Sequence, residues 1–203
     1  IPGVTIVQTG QQGGAASLFV RGLESNHVVT LLNGRRLAPG LAGLYNIELL
    51  GTSFLESVQL AKGPVSSLYG SDAIGGALDL RMSDARFVSV KNNLELFTEA
   101  GSFDTFRSAL KYQTKEDRIG IVMDASYLHT DNDRPFSQFE NLTLRNNIAY
   151  EVSDNIYFDL LSFYQGSDLQ VPGSELGGSF PEPQINVNES SLISPRLSIT
   201  EKN

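Results

Sequence analysis

"KGPVSSLYGSDAIGGALDL", Lys62 to Leu80, packs a Gly-Pro, a Tyr-Gly and a Gly-Gly into one short span and then alternates like a strand. Gly63, Gly70, Gly75 and Gly76 offer conformations and close approaches that side chains forbid, and Pro64 fixes one φ at the start of the bend. The stretch therefore predicts sharp turns in a confined space, feeding a strand over "GGALDL" (Gly75–Leu80). Upstream the grammar is similar. Short apolar runs at Leu18–Val20 and Val28–Leu32 are parted by "QTGQQGGAAS" (Gln8–Ser17), by Asn33-Gly34, and by "LAPGLAG" (Leu37–Gly43). Asn-Gly between "HVVTLL" and "RRL" predicts a strand and its tight return. "LLGTSFLESVQL" (Leu49–Leu60) predicts a short helix running into a strand. Residues 1–82 thus read as a small α+β domain with long loops.

From residue 86 onward the period is two. Val88, Val90, Leu94, Leu96 and Thr98 share a face, with Phe97 out of place on the other. Further on, Phe106, Leu110 and Tyr112 oppose Arg107, Lys111 and Gln113, and Ile119, Ile121, Met123, Ala125 and Tyr127 oppose Asp124 and Ser126. Leu142, Leu144, Ile148, Tyr150 and Val152 oppose Thr143, Arg145, Asn147 and Glu151. Ile156, Phe158, Leu160 and Tyr164 oppose Asp159 and Gln165, blurred by Leu161 and Phe163. Ile193, Pro195, Leu197 and Ile199 oppose Ser194, Arg196, Ser198 and Thr200. These are about six strands, each near the ~9–11 residues that cross a bilayer at a tilt.

The connections alternate too. "TKEDR" (Thr114–Arg118) and "EVSDN" (Glu151–Asn155) are short, whereas His129–Glu140 and Gly166–Ser190 are long. Only the first hairpin, "AGSFDT", is short on the long-loop side. Short turns on one rim and long loops on the other fit a transmembrane β-barrel, with Tyr112, Tyr127, Tyr150 and Tyr164 placed for an aromatic girdle. A soluble β-sandwich also alternates, but would bury its apolar faces against a second sheet. Open strand edges cannot face lipid, so a barrel reading makes 86–203 only the first strands of a larger barrel. The chain starts at Ile1 and stops after a strand-like run, which reads as cut at both ends.

Composition narrows the partners. A net charge of −8 argues against nucleic acid. With no cysteine, thiolate metal sites, disulfides and cysteine nucleophiles are excluded. His27 reads as a surface or structural histidine and His129 as a loop residue; no phosphate-cradling or nucleophile-elbow motif is present. An enzyme on a β scaffold would need a polar pocket converging on one of these histidines.

"IPGVTI" (Ile1–Ile6), "LFVRGLESNHVVTLLNGRRL" (Leu18–Leu37), "GPVSSLYGSDAIGG" (Gly63–Gly76) and the strands after them resemble a TonB-dependent outer-membrane receptor, closest to its cobalamin-receptor-like branch. The resemblance covers nearly the whole chain. It implies an α+β plug domain over 1–82 and the first strands of a transmembrane barrel of about 22 strands over 86–203. A TonB box would lie upstream of Ile1, and about 16 further strands, roughly 300 residues, would follow.

The resemblance also implies function. The protein would be no enzyme. It would reside in the outer membrane of a Gram-negative bacterium, contact outer-membrane lipid, and admit a ferric siderophore, cobalamin or haem-like chelate when the TonB–ExbB–ExbD complex pulls on the plug. Arg21, Glu56 and Lys62 stand at positions that face the barrel wall in that family. Gln59 and Lys62 depart from the Glu and Arg common there, implying a weaker network. Ligand would meet the plug tips, with Gln11, Gln12, Gly13 and Gly14 on one and Leu41, Leu44 and Tyr45 on the other. The turn motif residues are Gly63, Pro64, Tyr69, Gly70, Ser71, Asp72, Gly75 and Gly76. No cofactor is expected beyond structural calcium, for which Asp131, Asp133 and Asp168 are the candidates.

Overall fold

The computed structural model describes residues 2–40, 44–172 and 183–199. They form two compact units, Ile1–Met82 and Ser83–Asn203.

The first unit holds a four-stranded mixed sheet in the order β4 (Arg35–Arg36), β3 (Val28–Leu32), β6 (Gly76–Met82) and β5 (Leu55–Lys62). Every residue of β3 is buried. It lies between two strands and parallel to β6, and an interior parallel strand reads as a continuous apolar run. A separate hairpin pairs β1 (Val4–Gln8) with β2 (Ala16–Val20). Leu18 and Val20 from that hairpin pack on Val28, with Leu60 and Leu78 alongside.

The predicted Asn-Gly turn is present. Asn33 and Gly34 have φ of 48° and 74°, the left-handed pair that joins β3 to β4. The turn is stapled to the end of β6: Asn33 Oδ1 accepts from Met82 N at 2.8 Å, and Gly34 N donates to Asp79 Oδ1 at 2.9 Å. The helix expected in Leu49–Leu60 is one 3-10 turn at Ile47–Leu49, ahead of β5.

The second unit is one antiparallel sheet with order β12-β11-β10-β9-β8-β7. Its strands are β7 (Asn93–Gly101), β8 (Thr105–Glu116), β9 (Ile119–Thr130), β10 (Phe139–Ser153), β11 (Ile156–Val171) and β12 (Gln184–Ile199). Among the described residues β7 and β12 each pair on one side only. The two faces differ sharply. One carries Leu94, Leu96, Leu110, Met123, Leu144, Phe158, Ile193 and Leu197, all exposed; Leu94 is 64% and Leu197 67% accessible. No second sheet covers this face among the described residues, which removes the sandwich alternative. The other face is polar and buried, with Lys111, Asn141, Thr143, Arg145, Asn147, Asp159, Gln165 and Ser167. Apolar outside and polar inside is the transmembrane-barrel pattern. Leu161 and Phe163, which blur the strand pattern, lie buried on the inner side.

Two boundaries differ from the sequence reading. The first barrel strand begins at Asn93 rather than Val88, because Val88 packs on Ala85, Val122 and Ala149 and Asn92 turns the chain with φ of 54°. The loop expected over Gly166–Ser190 is shorter, since the β11–β12 ladder continues from Gly166↔Glu189 to Val171↔Gln184. The strands run to 16 residues, beyond the ~9–11 that a bilayer demands. Thr200 and residues 173–182 lie outside the described residues.

Candidate functional site

The glycine motif closes on itself. Gly63 N donates to Gly75 O at 2.9 Å and Val65 N to Ala73 O at 3.0 Å, forming two rungs around one helical turn, α1 (Ser66–Tyr69). Gly70, with φ of 96°, ends that turn, and Gly75 N reaches back to His27 O at 2.8 Å. Gly76 has φ of 154°, and a Cβ there would sit 2.3 Å from Ala61 O, so the start of β6 admits no side chain. Pro64 stands between the rungs. Tyr69, with Val65, packs on the cluster of Val29, Leu31, Ala73 and Ala77. Ser71 donates to Asp72, and Asp72 pairs with Arg36. Those hydrogen bonds, Arg36's first, hold the Asp72 carboxyl below the usual carboxylate range. The helix was not anticipated, because one turn is too short to show a period.

Of the two plug tips, Gln11, Gln12, Gly13 and Gly14 lie in the β1–β2 loop. Gln8 Nε2 braces this loop through the carbonyls of Gln11 and Gly14 at 3.3 and 3.4 Å. On the second tip, Leu44 is exposed while Tyr45 is only 5% accessible, and its hydroxyl accepts from Arg36 Nε at 3.2 Å. Arg36 therefore joins Tyr45 to the Asp72 turn. Leu41 lies outside the described residues.

Of the residues assigned to the wall, Arg21 has φ of 53° and its N–H donates to Gly3 O at 2.7 Å. Lys62 Nζ donates to Pro2 O at 3.3 Å, so the Arg21 backbone and the Lys62 ammonium both meet the start of the chain. Glu56 is exposed on β5.

On the outer face, His129 pairs across strands with Glu140 at 3.3 Å and lies 3.6 and 3.8 Å from carboxylates of Asp131 and Asp104. Asp131 also accepts from Gln138 at 2.9 Å. Asp133 is exposed in the β9–β10 loop, and Asp168 lies on β11 opposite Glu140 rather than in a loop. Among the described residues no three His, Asp or Glu side chains are arranged to hold a metal ion. Glu140, Asp168 and Glu189 rim a cleft of about 280 Å³ floored by Tyr127, Leu142 and Tyr164.

The arrangement that sequence reasoning missed is the tether after β6, within the second unit. Ser83 O accepts from Arg145 Nη1 at 2.8 Å, and Arg145 also pairs with Asp124. Ala85 N donates to Asn147 Oδ1 at 2.8 Å, and Ala85 O presses so closely on Gly120 that a Cβ there would lie 2.0 Å away. Asp84 takes the Arg86 guanidinium at 2.8–3.3 Å and that residue's own N–H at 3.0 Å. Arg86 continues to Ser198 Oγ at 3.1 Å. Arg196 Nε and Nη2 grip Asp159, wholly buried, at 3.0 and 3.3 Å, and Nη2 reaches Asp84 at 3.4 Å. Burial pushes the Asp84 carboxyl up, but the Arg86 hydrogen bonds and the charges of Arg86 and Arg196 outweigh it and hold it below the usual carboxylate range. The tether is thus fastened to β10 and β12 by hydrogen bonds, to β11 and β12 by a four-member ion network, and to β9 by close packing on Gly120 and Val122.

Residues 1–77 match the family described as the TonB-dependent receptor plug domain. Residues 1–77 are thus similar to a TonB-dependent receptor plug. Solved structures of TonB-dependent receptors share the fold over most of the chain. One is the pyoverdine receptor FpvA of Pseudomonas aeruginosa PAO1, bound to pyoverdine, with a TM-score of 0.70 at 16% identity over 83% of this chain and 24% of that one. The copper transporter OprC matches with a TM-score of 0.70 at 16% identity over 83% of this chain and 27% of that one. The siderophore receptor PirA of Acinetobacter baumannii matches at 0.63 and 16% identity over 84% and 28%. The chain therefore spans about a quarter of the length of these structures. The six-stranded sheet with its apolar outer face shares the antiparallel strand fold of these structures.

Proposed function

We propose that the chain forms the plug and first barrel strands of an outer-membrane transporter that takes up a large, scarce metal chelate, a ferric siderophore in the first instance, by TonB-driven movement of the plug. The observation that carries this reading is a plug domain continuous in sequence with a sheet whose outer face is apolar and exposed and whose inner face is polar and buried. Such a sheet is suited to lipid on one side and a wet lumen on the other. Siderophore-binding FpvA and PirA, which share the fold, support the choice of solute. The plug loops at Gln11–Gly14 and Leu44 are the proposed ligand contacts, and the TonB–ExbB–ExbD complex the proposed energy source. No group in the chain is required to make or break a bond.

The test uses the full-length receptor in cells lacking their own transporters. Outer-membrane fractionation is followed by uptake of labelled ferric siderophores, cobalamin and copper, with and without TonB. Energy-dependent uptake of a ferric siderophore, abolished without TonB, is expected. Uptake of cobalamin or copper alone would overturn the choice of solute, and a soluble product would overturn the transporter reading.

A further inference from the structure

We infer that Ser83–Arg86 is the stationary anchor of the plug: the point at which plug movement stops while the barrel wall stays fixed. The inference rests on the transporter reading for its purpose but on the tether's own contacts for its mechanism. Met82 N and the carbonyl of Leu80 are held by Asn33 of the plug's own sheet. One residue later the partners change. Ser83, Asp84, Ala85 and Arg86 bond to Arg145, Asn147, Arg196 and Ser198 of the strands. Between Met82 and Ser83 these bonds pass from one set of partners to the other.

The two sets also differ in what breaking them costs. β-Ladder bonds of the plug exchange with water as they open. Lifting the tether away would give up the Arg196–Asp84 contact at 3.4 Å and the Arg86–Ser198 bond at 3.1 Å, and would take Ser83 O from the buried Arg145 and Ala85 N from the buried Asn147, and buried polar groups that lose a partner are expensive. Ala85 O lies against Gly120 with no gap for water, and Asn147, fully buried, spends its oxygen on Ala85 N and its amide on Leu160 O at 3.2 Å. Beyond the anchor, Val90 O still accepts from Lys115 N at 2.8 Å, and Asn92 N donates to Thr114 Oγ1 at 3.2 Å. Traction arriving from upstream thus meets the weaker plug ladder first and the charge network second. The anchor makes the plug a hinged stopper, returned to its place after each cycle by a point that never left the wall.

The experiment pulls the N-terminus of the full-length receptor in a lipid bilayer by single-molecule force spectroscopy. In the wild type the last plug step should end at Met82, and residues 83–92 should come away only in a later step with the strands. In Asp84→Ala and, independently, Arg86→Ala, the last plug step should lengthen by five to ten residues, roughly 18–36 Å at full extension. Wild-type plug release that runs on through residue 92, or both variants stopping at Met82, would overturn the anchor. Because the instrument supplies the force, this result is independent of TonB and of the solute. A second arm joins Ala85→Cys to Ala149→Cys, or to Val122→Cys, by oxidation. Uptake that survives the cross-link supports an anchor that never leaves the wall; uptake present when reduced and lost when oxidised refutes it. A receptor that shows no uptake in either state fails the transporter reading instead.

Discussion

Gly120→Ala is the sharpest perturbation of the tether, because it adds one methyl group and changes nothing else. Gly120 does not occupy the left-handed region, so alanine meets no backbone strain there. The new Cβ would lie 2.0 Å from Ala85 O and 3.0 Å from Ala85 C, where ordinary contact starts at 3.4 Å. Ala85 must therefore retreat by 3.4 − 2.0 = 1.4 Å. Its 2.8 Å bond to Asn147 cannot survive such a shift. Losing that bond costs about 0.5–1.5 kcal/mol, and leaving the buried Asn147 oxygen unpaired about 1–3 kcal/mol more. A total of roughly 1.5–4.5 kcal/mol raises the open population of the tether by a factor of about 10 to about 1600, at a factor of ten per ~1.4 kcal/mol.

Chymotrypsin reads this out at Phe87, whose side chain is exposed inside a backbone otherwise held down. Cleavage follows the open population when closing outpaces cutting. Gly101→Ala is the control: its Cβ would find Thr105 Cβ at an ordinary 3.6 Å. Cleavage of Gly120→Ala at the rate of the wild type and of the control would refute the close approach of tether and wall, and the anchor with it.

How much of this could be read beforehand follows from the range of each signal. Period-two alternation is local, so the faces of β8–β12 were legible residue by residue, Asp159 and Arg196 on the polar side included. The same locality misled at Val88 and Val90. They alternate like a strand but belong to the tether, where Val88 packs on Ala85 and Ala149, the latter some sixty positions away. The β11–β12 extension was missed because Gly166, Ser167, Asp168, Asn186 and Asn188 look like loop residues. Ser167, Asn186 and Asn188 lie on the inward, polar side, whereas Ile185 and Val187 stay exposed on the outer one, and the ladder, not the side chains, keeps the stretch extended. The Asn33-Gly34 turn was legible from two residues; that Asn33 also holds Met82 was not, since its partner lies 49 residues on. The anchor was invisible for the same reason. Asp84 and Arg86 look like ordinary surface charges until the fold brings Arg196 to them across 112 residues. A charge on the inward face of a strand, where its neighbours are small or polar, was the one hint available.

The plug supplies two further predictions. Gly76→Ala meets both a φ of 154° and the Ala61 carbonyl at 2.3 Å, so the β5–β6 ladder must part, at about 2–5 kcal/mol from strain and overpacking together. Trypsin should then digest residues 1–82 while the strands resist, whereas Gly10→Ala, with a φ of 74° and nothing within 4 Å, should stay protected; equal resistance would contradict the motif geometry. Glu48→Gln tests an electrostatic cost. Burial pushes the half-buried Glu48 carboxyl up, and the hydrogen bond it accepts from Ala16 N at 3.2 Å offsets this only in part. A folded-state value above the unfolded one, near 4.3, means the fold prefers the protonated acid. Its stability therefore falls as pH rises through those two values and stays lower above them. Glutamine can still accept from Ala16 N and carries no charge. The variant should melt above the wild type at pH 7, and the gap should close as pH drops below about 4.3. A wild-type plug that melts higher than the variant at neutral pH would show that the charge itself, through its bond to Ala16, is what the hairpin needs.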